Sequence, residues 1–260
     1  MSQPIAVEIS DKIAKITFQS NEQNTFDPQF CHLLSDEINK LKEEQNVRAV
    51  ILTGSGGFFS NGFNPNNFVE KSKDEISSLI APAFNLCYEI MTHPLPFASC
   101  MNGHAMGFGA ILSLYTDYRY MLEKGGRFGF PEILIGLPIP LAPAIKLQDI
   151  CGSITARDMV FSGKAFKATE ALENKLIDKY FIDEEQMLSF TRKALSKLFK
   201  FPRITVSINK KAVNYRYLDS LRVAIDKDIE NASAVISSAE GQEGLSALKA
   251  GRRPNFSEFS

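Results

Sequence analysis

The sequence predicts an α/β fold: a core of strand–strand–helix units followed by a helical C-terminal extension. Three observations carry this. Short apolar or alternating runs end at glycine or asparagine throughout the first half of the chain. Segments with apolar residues at helical spacing separate them. After Gly136 the strand signal gives way to helical patterns almost to the end. Strands alternating with helices in this way define an α/β core.

The elements follow in order. Residues 5–18 (IAVEISDKIAKITF) read as two alternating strands around Ser10-Asp11-Lys12. A helix is expected from Asp27-Pro28, since Asp is a good N-cap and Pro suits the first helical position. Phe30, Leu33, Leu34, Ile38 and Leu41 continue it at helical spacing. Val47–Leu52 is a buried-type strand ended by Thr53-Gly54, and 54–67, rich in Gly and Asn, is expected to be irregular. Residues 74–92 read as a helix, Leu95–Met101 as a strand ended by Asn102-Gly103, and 107–116 as a helix entered through a glycine turn. Residues 141–150, 154–161, 167–176, 183–200 and 203–250 are helical patterns, with Gly152 and Gly163 as stops. No low-complexity linker separates the parts. The expected division is a core over 1–200 and a helical extension over 201–260.

Composition narrows the function classes. The apolar fraction of 44% and charged fraction of 23% are ordinary for a soluble globular protein. A net charge of −1 gives no electrostatic footprint for nucleic acid or an anionic membrane surface. No apolar run approaches the length of a membrane span. The N-terminus lacks a basic start with an apolar core, and the C-terminus NFSEFS is not a peroxisomal signal. Cys31, Cys87, Cys100 and Cys151 form no C-x-x-C pair, and three lie in apolar runs. Buried free thiols in a reducing, cytoplasmic compartment are expected. His32, His93 and His104 are too scattered for a metal site, so no metal or redox cofactor is expected.

Three segments carry the chemistry: FFSNGFN over 58–64, NGHAMGFGAI over 102–111, and FPEILIG over 130–136. The first two place glycines where a strand ends. Such turns present backbone N–H groups that no helix uses, and two facing turns can bind a developing oxyanion. Neither is a phosphate loop, and Gly107-Phe108-Gly109 does not complete G-x-G-x-x-G because residue 112 is Leu. Glu132 lies in an apolar run, with Phe128, Phe130 and Pro131 before it and Ile133, Leu134 and Ile135 after. It is either an edge or capping glutamate, or a desolvated carboxylate whose raised pKa suits proton transfer near neutral pH.

In this order and spacing, the three segments resemble the signature of the enoyl-CoA hydratase/isomerase (crotonase) superfamily. RAVILTGSGGFFSNGFN resembles its first oxyanion segment, MNGHAMGFGAILSLYTDYRYM its glycine-rich helix and following strand, and RFGFPEILIGL its P-E segment. ITARDMVFSGKAFKATEALENKLID and AEGQEGLSALKAGRRPNF resemble two later stretches, so the likeness covers nearly the whole chain. It implies the ClpP/crotonase-like fold of repeated ββα units and an acyl-CoA thioester as substrate, coenzyme A being part of that substrate. It also implies a homotrimer or dimer of trimers, with the helical extension at subunit contacts. The N–H groups of Phe63 and Phe108 would form the oxyanion hole. Phe63, Asn64, Pro65 and Asn66 would line the coenzyme A site, and Glu132 would be the catalytic carboxylate.

Four departures from the family pattern matter. Gly-Phe-Gly replaces three glycines at 107–109, Asn64 replaces Asp, Ile111 replaces the second glutamate of a hydratase, and Leu137-Pro138-Ile139-Pro140 replaces a glycine-rich segment. A single carboxylate fits Δ3-Δ2-enoyl-CoA isomerisation, where one group takes and returns a proton. The alternatives are a hydratase or another one-carboxylate reaction on a CoA thioester, and a non-catalytic CoA- or RNA-binding relative. Elsewhere the plainer expectation holds. His104 should be a packed histidine, Tyr115 and Tyr118 beside Asp117 core residues with polar tips, and Lys210-Lys211 and Arg252-Arg253 solvated surface charges.

Overall fold

The computed structural model describes residues 3–259. In chain order the strands are β1 (Ile5–Ser10), β2 (Ile13–Phe18), β3 (Ala49–Gly54), β4 (Phe58–Ser60), β5 (Phe97–Met101), β6 (His104–Met106), β7 (Tyr118–Leu122), β8 (Phe128–Gly129), β9 (Ala165–Phe166) and β10 (Lys179–Phe181). The helices are α1 (Pro28–Glu43), α2 (Lys73–Thr92), α3 (Phe108–Leu114), α4 (Leu141–Ser162), α5 (Ala168–Glu173), α6 (Glu184–Ser196), α7 (Arg203–Ile236) and α8 (Ala239–Lys249).

Six strands form a sheet in the order β1-β2-β3-β5-β7-β10, antiparallel at β1/β2 and parallel beyond. All six residues of β3 are buried, as expected of a parallel strand covered on both faces. Each of β3, β5 and β7 runs on into a short strand of a second sheet, ordered β4-β6-β8-β9, before a helix follows. This is the ββα repeat that the resemblance implies.

Local chemistry fixes the helix starts. The Asp27 side chain accepts from the Phe30 N–H, with Pro28 opening α1. Ser72 and Glu75 form a reciprocal capping box at α2. Asn102 ties two sheet-crossing turns together: its side chain accepts from Gly54 N–H at 2.9 Å and donates to Gly56 O at 2.9 Å. Phe18, Phe26, Phe30 and Phe59 pack as an edge-to-face and tilted cluster under these turns.

Several expectations need correction. Residues 54–67 are not wholly irregular. Phe58–Ser60 is a strand, and Pro65–Asn67 a 3-10 turn. A three-residue strand exists only through its pairing with β6, a long-range contact with no local pattern. The two helices expected on either side of Gly152 belong to α4, broken where Gly152 adopts φ 81°, ψ 162°. Tyr115 is buried and Tyr118 half-buried, stacked on Tyr120. Cys31, Cys87 and Cys100 are buried free thiols and Cys151 is half-buried.

Lys210 is the sharpest correction. It is 6% exposed, with its Nζ 2.9 Å from Asp117 Oδ2. It also donates to the carbonyls of Ile90 and Leu95. Its neighbour Lys211 is exposed, so only one of the two lysines is a solvated charge.

The helical extension packs on its own chain. Helix α7 runs along α2, and Leu221 and Ile225 are fully buried. Near its end Asp228 accepts from the N–H groups of Leu141 and Ala142 at 2.6 and 2.7 Å. A carboxylate from α7 thus caps α4, whose own N-cap residue Pro140 supplies no side-chain bond. Among the described residues, no helix is long and apolar enough to cross a membrane.

Candidate active site

Glu132 opens a 3-10 turn, Glu132–Ile135, behind Pro131, and Gly136 ends the turn in the left-handed conformation. The turn is held from outside by α8, whose Gly244 lies so close that a Cβ there would sit 1.8 Å from Ile135 O. The Glu132 side chain points inward. Its Oε2 is shut off from solvent and has no hydrogen-bond partner. Burial pushes the Glu132 pKa up to about 7, against the smaller opposing effect of its own backbone N–H. An acid in an apolar run is therefore a desolvated carboxylate here, not a capping or edge glutamate.

The two glycine turns meet beside it. Gly107 enters α3 at φ 54°, ψ −127°, and a Cβ there would lie 3.5 Å from Glu132 Oε1. Gly62 has φ 76°, and a Cβ on it would come within 2.7 Å of the Phe108 nitrogen. Both positions demand glycine: the backbone is left-handed, and at Gly62 there is no room for a side chain. This close approach sets Phe63 and the start of α3 side by side, with their rings 4.8 Å apart. The first helical bond of α3 runs from Ile111 N–H to Gly107 O. The Phe108 N–H therefore precedes any helical acceptor.

Asn64 keeps the cap that an Asp would give, accepting from Asn66 N–H at 3.0 Å to start the turn Pro65–Asn67. Asn64, Pro65 and Asn66 line a cleft of about 540 Å³ with Phe63, Phe108 and Glu132. Behind it lies an apolar pocket of about 70 Å³ lined by Ile80, Phe84, Phe108, Ile111 and Pro138, among others. Glu132, Phe63 and Phe108 border both spaces. The structure thus brings together every residue expected at the site: Glu132, Phe63, Phe108, Asn64, Pro65 and Asn66. Ile111, in the place of a hydratase's second glutamate, is buried in the inner pocket.

Sequence reasoning missed the walls supplied from afar. Ala232 and Ile236 come from α7, Phe84 from α2, and Leu245 and Leu248 from α8. Their spacing signals only amphipathic helices. The other polar candidates stand apart: the His104 ring packs over Phe58 at 5.1 Å, and Arg252 is paired with Glu243 on the surface.

Comparison with known proteins identifies the family. The profile of the family described as enoyl-CoA hydratase/isomerase matches residues 8–259. This chain belongs to that family. A probable enoyl-CoA hydratase of Bacillus subtilis (strain 168) is 26% identical over 258 residues, 97% of this chain and 98% of the relative. The 2,3-dehydroadipyl-CoA hydratase of Escherichia coli (strain K12) is 24% identical, over 86% of each chain. Among solved structures, human mitochondrial delta3-delta2-enoyl-CoA isomerase superposes with a TM-score of 0.91 at 23% identity, covering 96% of this chain and 98% of that one. An enoyl-CoA hydratase from Bacillus halodurans gives 0.89 at 21% identity, covering 95% and 100%. At these identities the structural matches speak for the fold, which hydratases and an isomerase share. The chain is an enzyme of the enoyl-CoA hydratase/isomerase family.

Proposed function

We propose that the protein is a Δ3-Δ2-enoyl-CoA isomerase. One observation carries the reading: among the described residues Glu132 is the sole acidic side chain lining either cavity, and Ile111 lies where the resemblance puts a second carboxylate. The thioester carbonyl sits between the N–H groups of Phe63 and Phe108, with the coenzyme A part along Phe63, Asn64, Pro65 and Asn66. Glu132 takes a proton from C2 of a 3-enoyl-CoA. Electrons move onto the thioester oxygen, giving a dienolate, and each N–H contributes roughly 3 kcal/mol to holding that charge. Protonated Glu132 then delivers the proton to C4, and the double bond comes to rest between C2 and C3. Hydration asks more of the site, because a water must be activated while a proton reaches C2. Lone Glu132 with apolar neighbours serves the shuttle better than that double task.

The test is an assay of purified protein with cis- and trans-3-enoyl-CoA beside 2-enoyl-CoA in water. Isomerisation should exceed hydration by about a hundredfold or more, the share that one missing acid–base partner contributes. Equal rates would replace this reading with the hydratase.

The pH profile offers a second check. A base with a pKa near 7 is protonated and idle below it. The value of kcat/KM should fall as pH drops through 7, with roughly a hundredth of the molecules carrying the base at pH 5. A flat profile from pH 8 to pH 5, with the protein folded throughout, is incompatible with a desolvated carboxylate base.

A further inference from the structure

We infer that the protein grips acyl chains only as far as about the sixth or seventh carbon, because the inner pocket has room for only about two or three carbons beyond the reacting ones. The inference rests on the reading that a CoA thioester binds with its carbonyl beside Phe63 and Phe108. The two cavities meet at Glu132 and differ in kind. The outer cleft, about 540 Å³, is mixed: it carries Gln23, Asn61, Asn64 and Asn66 beside apolar residues such as Phe68, Leu245 and Leu248, which suits a large coenzyme with polar and apolar parts. The inner pocket has no polar side chain except Glu132, so it suits the hydrocarbon tail. It measures about 70 Å³, half the roughly 150 Å³ of an apolar cavity that accepts benzene. C1 lies at the oxyanion donors and C2 to C4 beside Glu132, which leaves the inner pocket for about two or three more carbons.

The walls resist enlargement. Phe84 and Phe108 meet edge to face at 5.9 Å and are both nearly fully buried. Pro138 and Pro140 line the pocket with fixed φ. Beyond Pro140, the N–H groups of Leu141 and Ala142 are held by Asp228 of α7, the helix that also supplies Ala232 and Ile236 to the pocket. Pro138 is the one exposed residue of this lining, so a longer tail either leaves past it into water, where it gains no burial, or has to part α7 from α4 or displace two aromatic rings from the core.

Binding of saturated acyl-CoA esters, which have no double bond to move, tests this apart from catalysis. Calorimetric titration with butyryl-, hexanoyl-, octanoyl- and dodecanoyl-CoA should show affinity rising roughly fourfold per methylene up to hexanoyl. It should then level off, with dodecanoyl-CoA within a few-fold of hexanoyl-CoA. In Phe84→Ala the rise should continue to longer chains, and in Ala232→Leu it should stop at shorter ones. The wild-type series decides the matter even if neither variant folds. Dodecanoyl-CoA binding more than about tenfold tighter than hexanoyl-CoA would overturn the length limit and leave the thioester site standing. Failure of every ester to bind would sink the site reading, and the length limit with it.

Discussion

The Glu132→Gln variant is expected to lose isomerase turnover by about a hundredfold or more, the share of a positioned acid–base group. It should still bind acyl-CoA esters, and above neutral pH it should be more stable than the wild type. The loss of rate follows from geometry. Glu132 is the one acidic side chain where the two cavities meet, and an amide of the same shape cannot take a proton from C2. The gain in stability follows from linkage. The folded-state pKa of Glu132, about 7, lies above its ordinary value of 4.5. Between these values the folded protein binds more protons than the unfolded chain, so the group's contribution is full below pH 4.5 and is lost as pH rises to 7. Above pH 7 the charged carboxylate costs the fold on the order of 3 kcal/mol. A buried amide carries its own cost for an unpaired group, so a net gain of about 1 kcal/mol is expected at pH 8. At pH 5 wild-type Glu132 is neutral and the gain should vanish. Activity within a few-fold of wild type would remove Glu132 as the base. A variant less stable at pH 8 would contradict the desolvation.

Glu132 was legible because it is chemically out of place: a lone acid between Pro131 and Ile133-Leu134-Ile135 needs a reason. β3 and α1 were legible for local causes, an unbroken apolar run and an Asp-Pro start. The second sheet was not. β4, β6, β8 and β9 have two or three residues each, and their pairing partners set them, not any periodicity of their own. The inner pocket was hidden for a related reason. Its far wall comes from Ala232 and Ile236, which only the packing of α7 brings back to Glu132. Ile111 and the Pro138-Pro140 segment stood out as departures from a family pattern. That they share one pocket, with its size, required the fold.

Lys210 is the residue that the sequence misplaced most, and its replacement should have the largest effect on stability. Lys210→Met is expected to destabilise the protein by about 2–3 kcal/mol, less than the full cost of breaking a buried ion pair because the Asp117 side chain left alone is 20% exposed. An ammonium has three donors, and all are used here: on Asp117 Oδ2, on Ile90 O and on Leu95 O. The charge also lies over the Phe97 ring at 5.0 Å. Burial lowers the lysine's pKa, while Asp117 opposes that fall and keeps the charged form in place. Four parts of the fold meet at this ammonium: α7, the end of α2, the entry to β5 and the turn before β7. Met keeps the length and the apolar stem but strands Asp117, whose Oδ2 retains only the Phe97 N–H, and two carbonyls. Urea unfolding of Lys210→Met, Asp117→Asn and the double variant separates the pair from its surroundings. If the ion pair carries the effect, the double variant should cost much less than the two single losses added. A loss below about 1 kcal/mol in Lys210→Met would match the yield of an exposed pair and refute the buried one. Because α7 also carries Ala232, Ile236 and Asp228, a loosened Lys210 anchor should reach the active site. The variant that remains folded should bind dodecanoyl-CoA more tightly relative to hexanoyl-CoA than wild type does, as the wall of the inner pocket gives way and more of the tail is buried.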